Sequence, residues 1–226
     1  MEIVCETNGH GFMAWPVGYD GSFVRGATLE LVRAKRDGEL VAWAEWTKQP
    51  DVRVTDWHET IKETGACVED GDTEILLATD VDGYCDEAEL RGVCAIAQHS
   101  AVQVDEVRAR CSDILDHVDP AMQRSTFYGD VFATVEGQYG HLINTQRYYL
   151  QCVGTDADVA GVPLSESRQR VTTALIEFYA ELGNSLIIDE ESGEGWTIRK
   201  VIRRLIAHDR IHGKAMERMR CRLSAR

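Results

Sequence analysis

Residues 195–219 read GWTIRKVIRRLIAHDRIHGKAMERM. Ile198, Val201, Ile202, Leu205, Met216 and Met219 recur at helical spacing, which predicts one long helix from near Trp196 to about Cys221 with a single apolar stripe. His208 and His212 are four residues apart and fall on the continuation of that stripe. Their side chains therefore stack one turn apart on the same face, within reach of a shared ion, and point at a packing partner rather than at water. Two core-facing imidazoles need polar partners or a metal.

Working outward, three more amphipathic segments supply that partner. Asp86 with Glu89 forms a capping-box pattern ahead of Leu90, Val93, Cys94, Ala97, Val104, Val107, Cys111, Ile114 and Leu115. A second helix is expected from about Asp130 to Cys152, closed by Gly154, and a third from Ser165 to Leu182, with Val171, Ala174, Leu175, Phe178 and Leu182 on one face and Gly183 at its end. Four such helices make an up-down bundle over residues 84–226. His141 lies mid-way along the second, on a face shared with Thr134, Gln138, Thr145 and Tyr148 that is polar for a core. It is the expected third ligand beside His208 and His212. Three imidazole nitrogens leave coordination positions open for water or substrate. The spacing H-x-x-x-H also occurs among surface and hydrogen-bonded core histidines, so it does not by itself demand a metal. His99 is the reserve ligand, whereas His10, His58 and His117 read as structural or exposed. Asp209 reads either as the acceptor of a ligand imidazole's second N–H or as a surface carboxylate. No general base can be named.

Residues 1–83 read as a mixed α/β domain. Strand-like runs are EIVCE (2–6), FMAWPV (12–17) and SFVRG (22–26), followed by a helix from Thr28 to about Trp46 with Pro50 as its stop. VRVTDWHETI (52–61) and TEILLATD (73–80) read as further strands. The expected fold class is α+β, with a domain boundary at 83/84. Arg199, Lys200, Arg203 and Arg204 form a basic cluster that reads either as salt bridges to acidic neighbours or as an anchor for an anionic substrate. DEESGEG (189–195) is an acidic connection.

The 226-residue chain carries a formal net charge of −14, which repels phosphate backbones and removes the long-range attraction behind most nucleic-acid binding. Its seven cysteines never form C-x-x-C, so reduced, mostly buried thiols are expected rather than a disulfide framework or zinc ribbon. No basic segment with an apolar run opens the sequence, and no stretch reaches the length of a membrane span, so a cytoplasmic protein is expected.

The stretches FYGDVFATVEGQYGHLINTQRYYL (127–150) and GWTIRKVIRRLIAHDRIHGKAMERM (195–219) resemble the histidine-bearing second and fourth helices of the DinB-like, or YfiT-like, four-helix-bundle metalloproteins. The likeness covers roughly residues 84–226 and implies that His141, His208 and His212 are the metal triad. Many members carry a glutamine three residues after the last histidine, where this chain has Ala215. That departure bears on the substrate environment and leaves the triad intact. Residues 11–46, GFMAWPVGYDGSFVRGATLELVRAKRDGELVAWAEW, resemble the core of HicB-like domains. Those serve as antitoxins that sequester a small toxin; with a bundle following instead of a DNA-binding segment, a scaffold or lid role is expected here.

These likenesses imply a divalent ion, zinc or nickel, and a low-molecular-weight thiol such as bacillithiol or mycothiol. The implied activity is a metal-dependent thiol S-transferase acting on a small-molecule thiol or electrophile. A metal-dependent hydrolase and a non-catalytic module that grips a partner through the HicB-like half are the alternatives. Neither nucleic acid nor membrane is an expected partner, and a homodimer is compatible with the sequence.

Overall fold

Strand β1 (Glu2–Thr7) turns back into β2 (Phe12–Pro16) through a loop built by its own side chains. Thr7 Oγ1 accepts from Gly9 N at 3.2 Å and donates to Gly11 O at 2.7 Å, while Asn8 Oδ1 accepts from His10 N at 3.0 Å. Gly9 takes the positive φ of 85° that this turn requires. β3 (Val24–Gly26) pairs antiparallel with β2, and β4 (His58–Glu63) pairs parallel with β1, giving a mixed four-stranded sheet of order β3-β2-β1-β4. A parallel pair needs a crossover, and helix α1 (Leu29–Thr47), capped by Thr28, supplies it. Ile3, Cys5, Ala14, Val24 and Val32 form the core between sheet and helix. Val4, Met13 and Trp15 are buried on the opposite face, so Ile3, Val4 and Cys5 form a continuous apolar run because both faces of β1 are covered.

The computed structural model describes residues 1–49, 52, 54–126 and 129–224. The chain is α+β and divides into two compact units. Against the expected boundary at 83/84, the first unit runs from Met1 to Cys85 and also takes in Asn184–Arg203; the second comprises Asp86–Gly183 and the chain from Arg204.

Three expectations in the first unit change. TEILLATD is not a strand: Thr73–Leu77 has no regular structure, and Ala78–Asp82 forms the short helix α2. Its backbone is held by side chains instead of a ladder. The buried Glu6 carboxylate accepts from Thr73 Oγ1 and from Glu74 N at 3.0 Å, and Lys62 Nζ donates to Leu76 O at 3.2 Å. Of VRVTDWHETI, only the portion from His58 is extended into a strand among the described residues. The stop at Pro50 lies outside the described residues; α1 closes at Thr47, with Lys48 in the left-handed conformation returning its N–H to Ala44 and Glu45 carbonyls. Within 184–203, β7 (Ile187–Ile188) pairs with β8 (Gly195–Trp196), so Trp196 is a buried strand residue and not a helix start.

In the second unit, α3 (Glu87–Arg110) begins where Asp86 accepts from Glu89 N at 2.8 Å, and α4 (Val135–Cys152) begins where Thr134 accepts from Gly137 N at 3.0 Å. α3 is shorter than expected because Cys111, Ser112 and Ile114 donate three residues back, tightening the chain out of the helix. α4 starts later than Asp130, since β5 (Ser125–Thr126) and β6 (Gly129–Asp130) form a small ladder first. α5 (Leu164–Leu182) follows Pro163, which offers no side-chain cap. Its first N–H groups are taken from outside: Tyr139 Oη accepts from Leu164 N at 2.7 Å and Asp105 Oδ2 from Ser165 N at 3.0 Å. Leu182, expected on the buried face, is exposed. α6 (Ile198–Leu223) begins after Thr197, whose hydroxyl accepts from Lys200 N at 3.1 Å; its part from Arg204 onward lies in the second unit. Ala101, Val104, Val135, Tyr139, Leu142, Leu164, Met216 and Met219 bring all four helices to one core. Among the described residues, no helix is long and apolar enough to cross a membrane.

None of the seven cysteines is in a disulfide. Cys5, Cys94 and Cys111 are buried, Cys67 and Cys152 half-buried, and Cys85 and Cys221 exposed, so the expected burial extends to only part of the set. Burial pushes the Cys5 thiol up to about 11 and the Cys94 thiol up to about 12. Ellman's reagent at pH 8 is therefore expected to consume Cys85 and Cys221 first, with Cys5 and Cys94 reacting only in denaturant. Peptide mapping that found Cys94 in the fast phase would mean that the core of the second unit opens readily.

Candidate metal centre

His141 projects from the middle of α4, and His208 and His212 from α6, all within the second unit. One ring nitrogen from each lies within 4.8 Å of the other two. His208 Nε2 sits 3.2 Å from His141 Nε2 and 3.0 Å from His212 Nε2. The rings stand steeply to one another, at interplanar angles of 71°, 64° and 79°, so their edges rather than their faces converge.

This geometry fits a shared ion. Imidazole nitrogens bind zinc at about 2.0–2.1 Å, which separates neighbouring donors by about 2.9 Å at a right angle and about 3.3 Å at the tetrahedral angle. Both measured separations fall in that span. Hydrogen bonding accounts for the cluster less well. A neutral imidazole carries one N–H, so a proton on His208 Nε2 serves one of its two neighbours and leaves the other lone pair opposed.

Gln138 fixes the proton of His212. It is 1% exposed and sits one turn before His141 on α4. Its Nε2 donates to Phe132 O at 2.5 Å, which turns Oε1 toward His212 Nδ1 in a short hydrogen bond. A carbonyl oxygen only accepts, so Nδ1 bears the hydrogen and Nε2 presents a lone pair to the cluster. The sequence hinted at this role only through the polar face containing Thr134, Gln138, Thr145 and Tyr148. Burial pushes the His141 imidazole below its ordinary value. Burial, with the nearby His212, His141, Arg204 and Arg168 charges, pushes His208 well below it. Both are thereby held in the neutral form that ligates metal. A Gln138→Leu protein is expected to bind zinc about 10- to 100-fold more weakly in competition with a chromophoric chelator, at an unchanged stoichiometry.

Asp209 takes neither role read from the sequence. It is 1% exposed and forms a paired contact with Arg168, Oδ2 to Nη1 at 2.8 Å and Oδ1 to Nη2 at 3.0 Å. Ser100 Oγ donates to the same carboxylate at 2.5 Å. Arg168 completes its donors with Gln146 Oε1 at 2.6 Å and Ala97 O at 3.1 Å. This buried network ties α3, α4 and α5 to the helix turn that carries His208, so it orients the ligand's backbone rather than its ring.

The ligating group comprises the three histidines alone among the described residues, so the reserve ligand His99 is not part of it; His10, His58 and His117 are likewise outside it. Of the basic cluster, three members are structural. Arg203 donates to both Asp80 oxygens, at 3.1 and 2.6 Å, and covers the Trp15 ring at 4.5 Å. Arg199 pairs with Asp20 at 3.2 Å over the Tyr84 ring, and Lys200 Nζ reaches Glu194, Glu74 O and Gly195 O, at 2.7–2.8 Å, over Trp196. They are not a substrate anchor. Arg204, the fourth, lies in the second unit with its guanidinium 5.0 Å over Tyr149, whose ring meets His208 edgewise at 6.1 Å. Phe132, half-exposed, lies 5.1 Å from the His141 ring.

Comparison of the chain with protein-family models, curated proteins and solved structures finds no match in any of the three.

Proposed function

We propose that the second unit is a divalent-metal enzyme of DinB-like type, with the ion held by His141, His208 and His212 and a low-molecular-weight thiol transferred to an electrophile. The convergence of three imidazole nitrogens, with no fourth protein ligand in their group among the described residues, carries this reading. A structural ion takes four protein ligands, whereas three leave a position for substrate. Zinc and nickel both suit imidazole donors. A bound ion supplies Lewis acidity, which lowers the pKa of a coordinated thiol and keeps it as the nucleophilic thiolate. The chain's own residues hold and shape that site. Gln138 retains the His212 proton on Nδ1, the Arg168–Asp209 pair holds the α6 backbone, and the rings of Phe132 and Tyr149 flank the imidazoles.

The test is elemental analysis of protein purified without an affinity tag, followed by bacillithiol or mycothiol conjugation to monochlorobimane. About one zinc or nickel per chain and metal-dependent conjugation are expected. Protein that stays metal-free after incubation with both ions removes the proposal, and metal-dependent ester hydrolysis without any thiol would assign the site to a hydrolase.

A further inference from the structure

We infer that the electrophile taken by this centre carries a flat apolar group, and that Phe132 is the residue that selects it; the inference rests on the metal and thiol reading above. Phe132 lies with its ring 5.1 Å from the His141 ring at an interplanar angle of 30°, so one side of it leans over a ligand imidazole. The residue is nevertheless 46% exposed, which leaves the rest of the ring open beside the triad. An imidazole bound at about 2.0–2.1 Å holds its ion about 3 Å from the ring centre, which puts the centre of Phe132 no more than about 8 Å from the ion. Aromatic pairs stack with centres about 4.5–7 Å apart, so a group borne two or three bonds from an ion-bound sulfur can reach this ring.

The chain fixes Phe132 at this spot from two directions. Its carbonyl accepts from Gln138 Nε2 at 2.5 Å, the same carboxamide that turns its oxygen to His212. Against its side chain, Gly137 leaves room: a Cβ there would stand 3.2 Å from Phe132 Cβ and 3.3 Å from Cδ1. Glycine weakens a helix, yet Gly137 sits in the first turn of α4. The space it leaves lets the ring lie close along that turn and against His141, which follows one turn later. An apolar ring is thus held at the edge of the triad while nearly half of it stays in water. A polar group lying on it would lose water without gaining a hydrogen bond, whereas a flat apolar one adds stacking to the burial of both surfaces.

The test uses the full chain loaded with cobalt(II), whose sulfur charge-transfer absorption reports thiolate binding without turnover. 2-Phenylethanethiol, which sets a ring beside the ion-bound sulfur where the electrophile's group would stand, is titrated against ethanethiol on the parent, Phe132→Ser and Phe132→Tyr. The parent is expected to bind the phenyl thiol about tenfold more tightly than ethanethiol. That preference is expected to fall to about twofold or less in Phe132→Ser, with the affinity for ethanethiol unchanged, and to be kept in Phe132→Tyr. Cobalt(II) uptake is expected to be the same in all three, since the substitutions keep the backbone carbonyl that holds Gln138. Equal affinities on the parent, or a preference that persists in Phe132→Ser, would overturn the inference while leaving the metal reading intact. An equal loss of both thiols in Phe132→Ser would overturn it too, by showing a ring that only covers His141. Cobalt(II) uptake without thiolate absorption from either thiol would remove the thiol reading and the inference with it, and failure of the parent to take up cobalt(II) would remove the metal reading as well.

Discussion

A His208→Ala, His212→Ala protein is expected to emerge from purification without metal and to fail to acquire zinc or nickel when supplied. Structural zinc sites contribute roughly 10–16 kcal/mol over four ligands, or about 3 kcal/mol per ligand. Losing two of three ligands therefore costs about 6 kcal/mol, on the order of four decades in affinity. The metal-free fold should survive, because the variant removes two partly buried imidazoles and leaves the Arg168–Asp209 network in place. Thermal melts separate the two effects. Added zinc at a hundredfold excess over its dissociation constant should stabilise the parent by about 2.7 kcal/mol and the variant not at all. Equal zinc-induced shifts in both proteins would place the ion elsewhere.

Arg168→Met is expected to be the most destabilising single change in the second unit, at about 3–5 kcal/mol by urea denaturation. The substitution leaves the Asp209 carboxylate at 1% exposure with Ser100 as its remaining donor, and removes the donors that Arg168 gives to the Gln146 and Ala97 oxygens. The loss is that of an uncompensated buried charge rather than of attraction as such. An Arg168→Met, Asp209→Leu double variant, which removes both charges, should accordingly regain most of the lost stability. A single variant no less stable than the parent would show that water reaches the pair. A double variant as unstable as the single one would show that the hydrogen bonds from Arg168 to Gln146 and Ala97, and not its pairing with Asp209, hold the helices together. Zinc affinity is expected to fall in the single variant as well, since His208 is bonded directly to Asp209 in the chain.

The legible parts of this molecule were those governed by neighbours in sequence. Thr28 and Asp86 cap helices by bonding an N–H three residues on, and such pairs can be read from residue order alone. The alternation and apolar runs of residues 2–7 and 12–16 identify strands for the same reason, and the four-residue spacing of His208 and His212 puts both on one face of a helix. His141 could be added only because a polar face at mid-helix is unusual in a core.

Contacts across long stretches of chain decided the rest. TEILLATD has a strand's composition, yet Glu6 takes the backbone N–H of Glu74 from 68 residues away, and no pattern within the segment records that. The basic run Arg199–Arg204 looks uniform in sequence, but its members separate once Asp20, Glu194 and Asp80 claim three of them and Tyr149 lies under the fourth. Asp209 seemed equally suited to the surface or to a ligand imidazole until Arg168, 41 residues earlier, met it in the core. Helical periodicity thus determined which residues share a face, because that depends only on the 3.6-residue turn. Which partner each buried charge finds, and whether three imidazoles meet edge to edge, depends on how separate helices pack, and only the tertiary structure decided it.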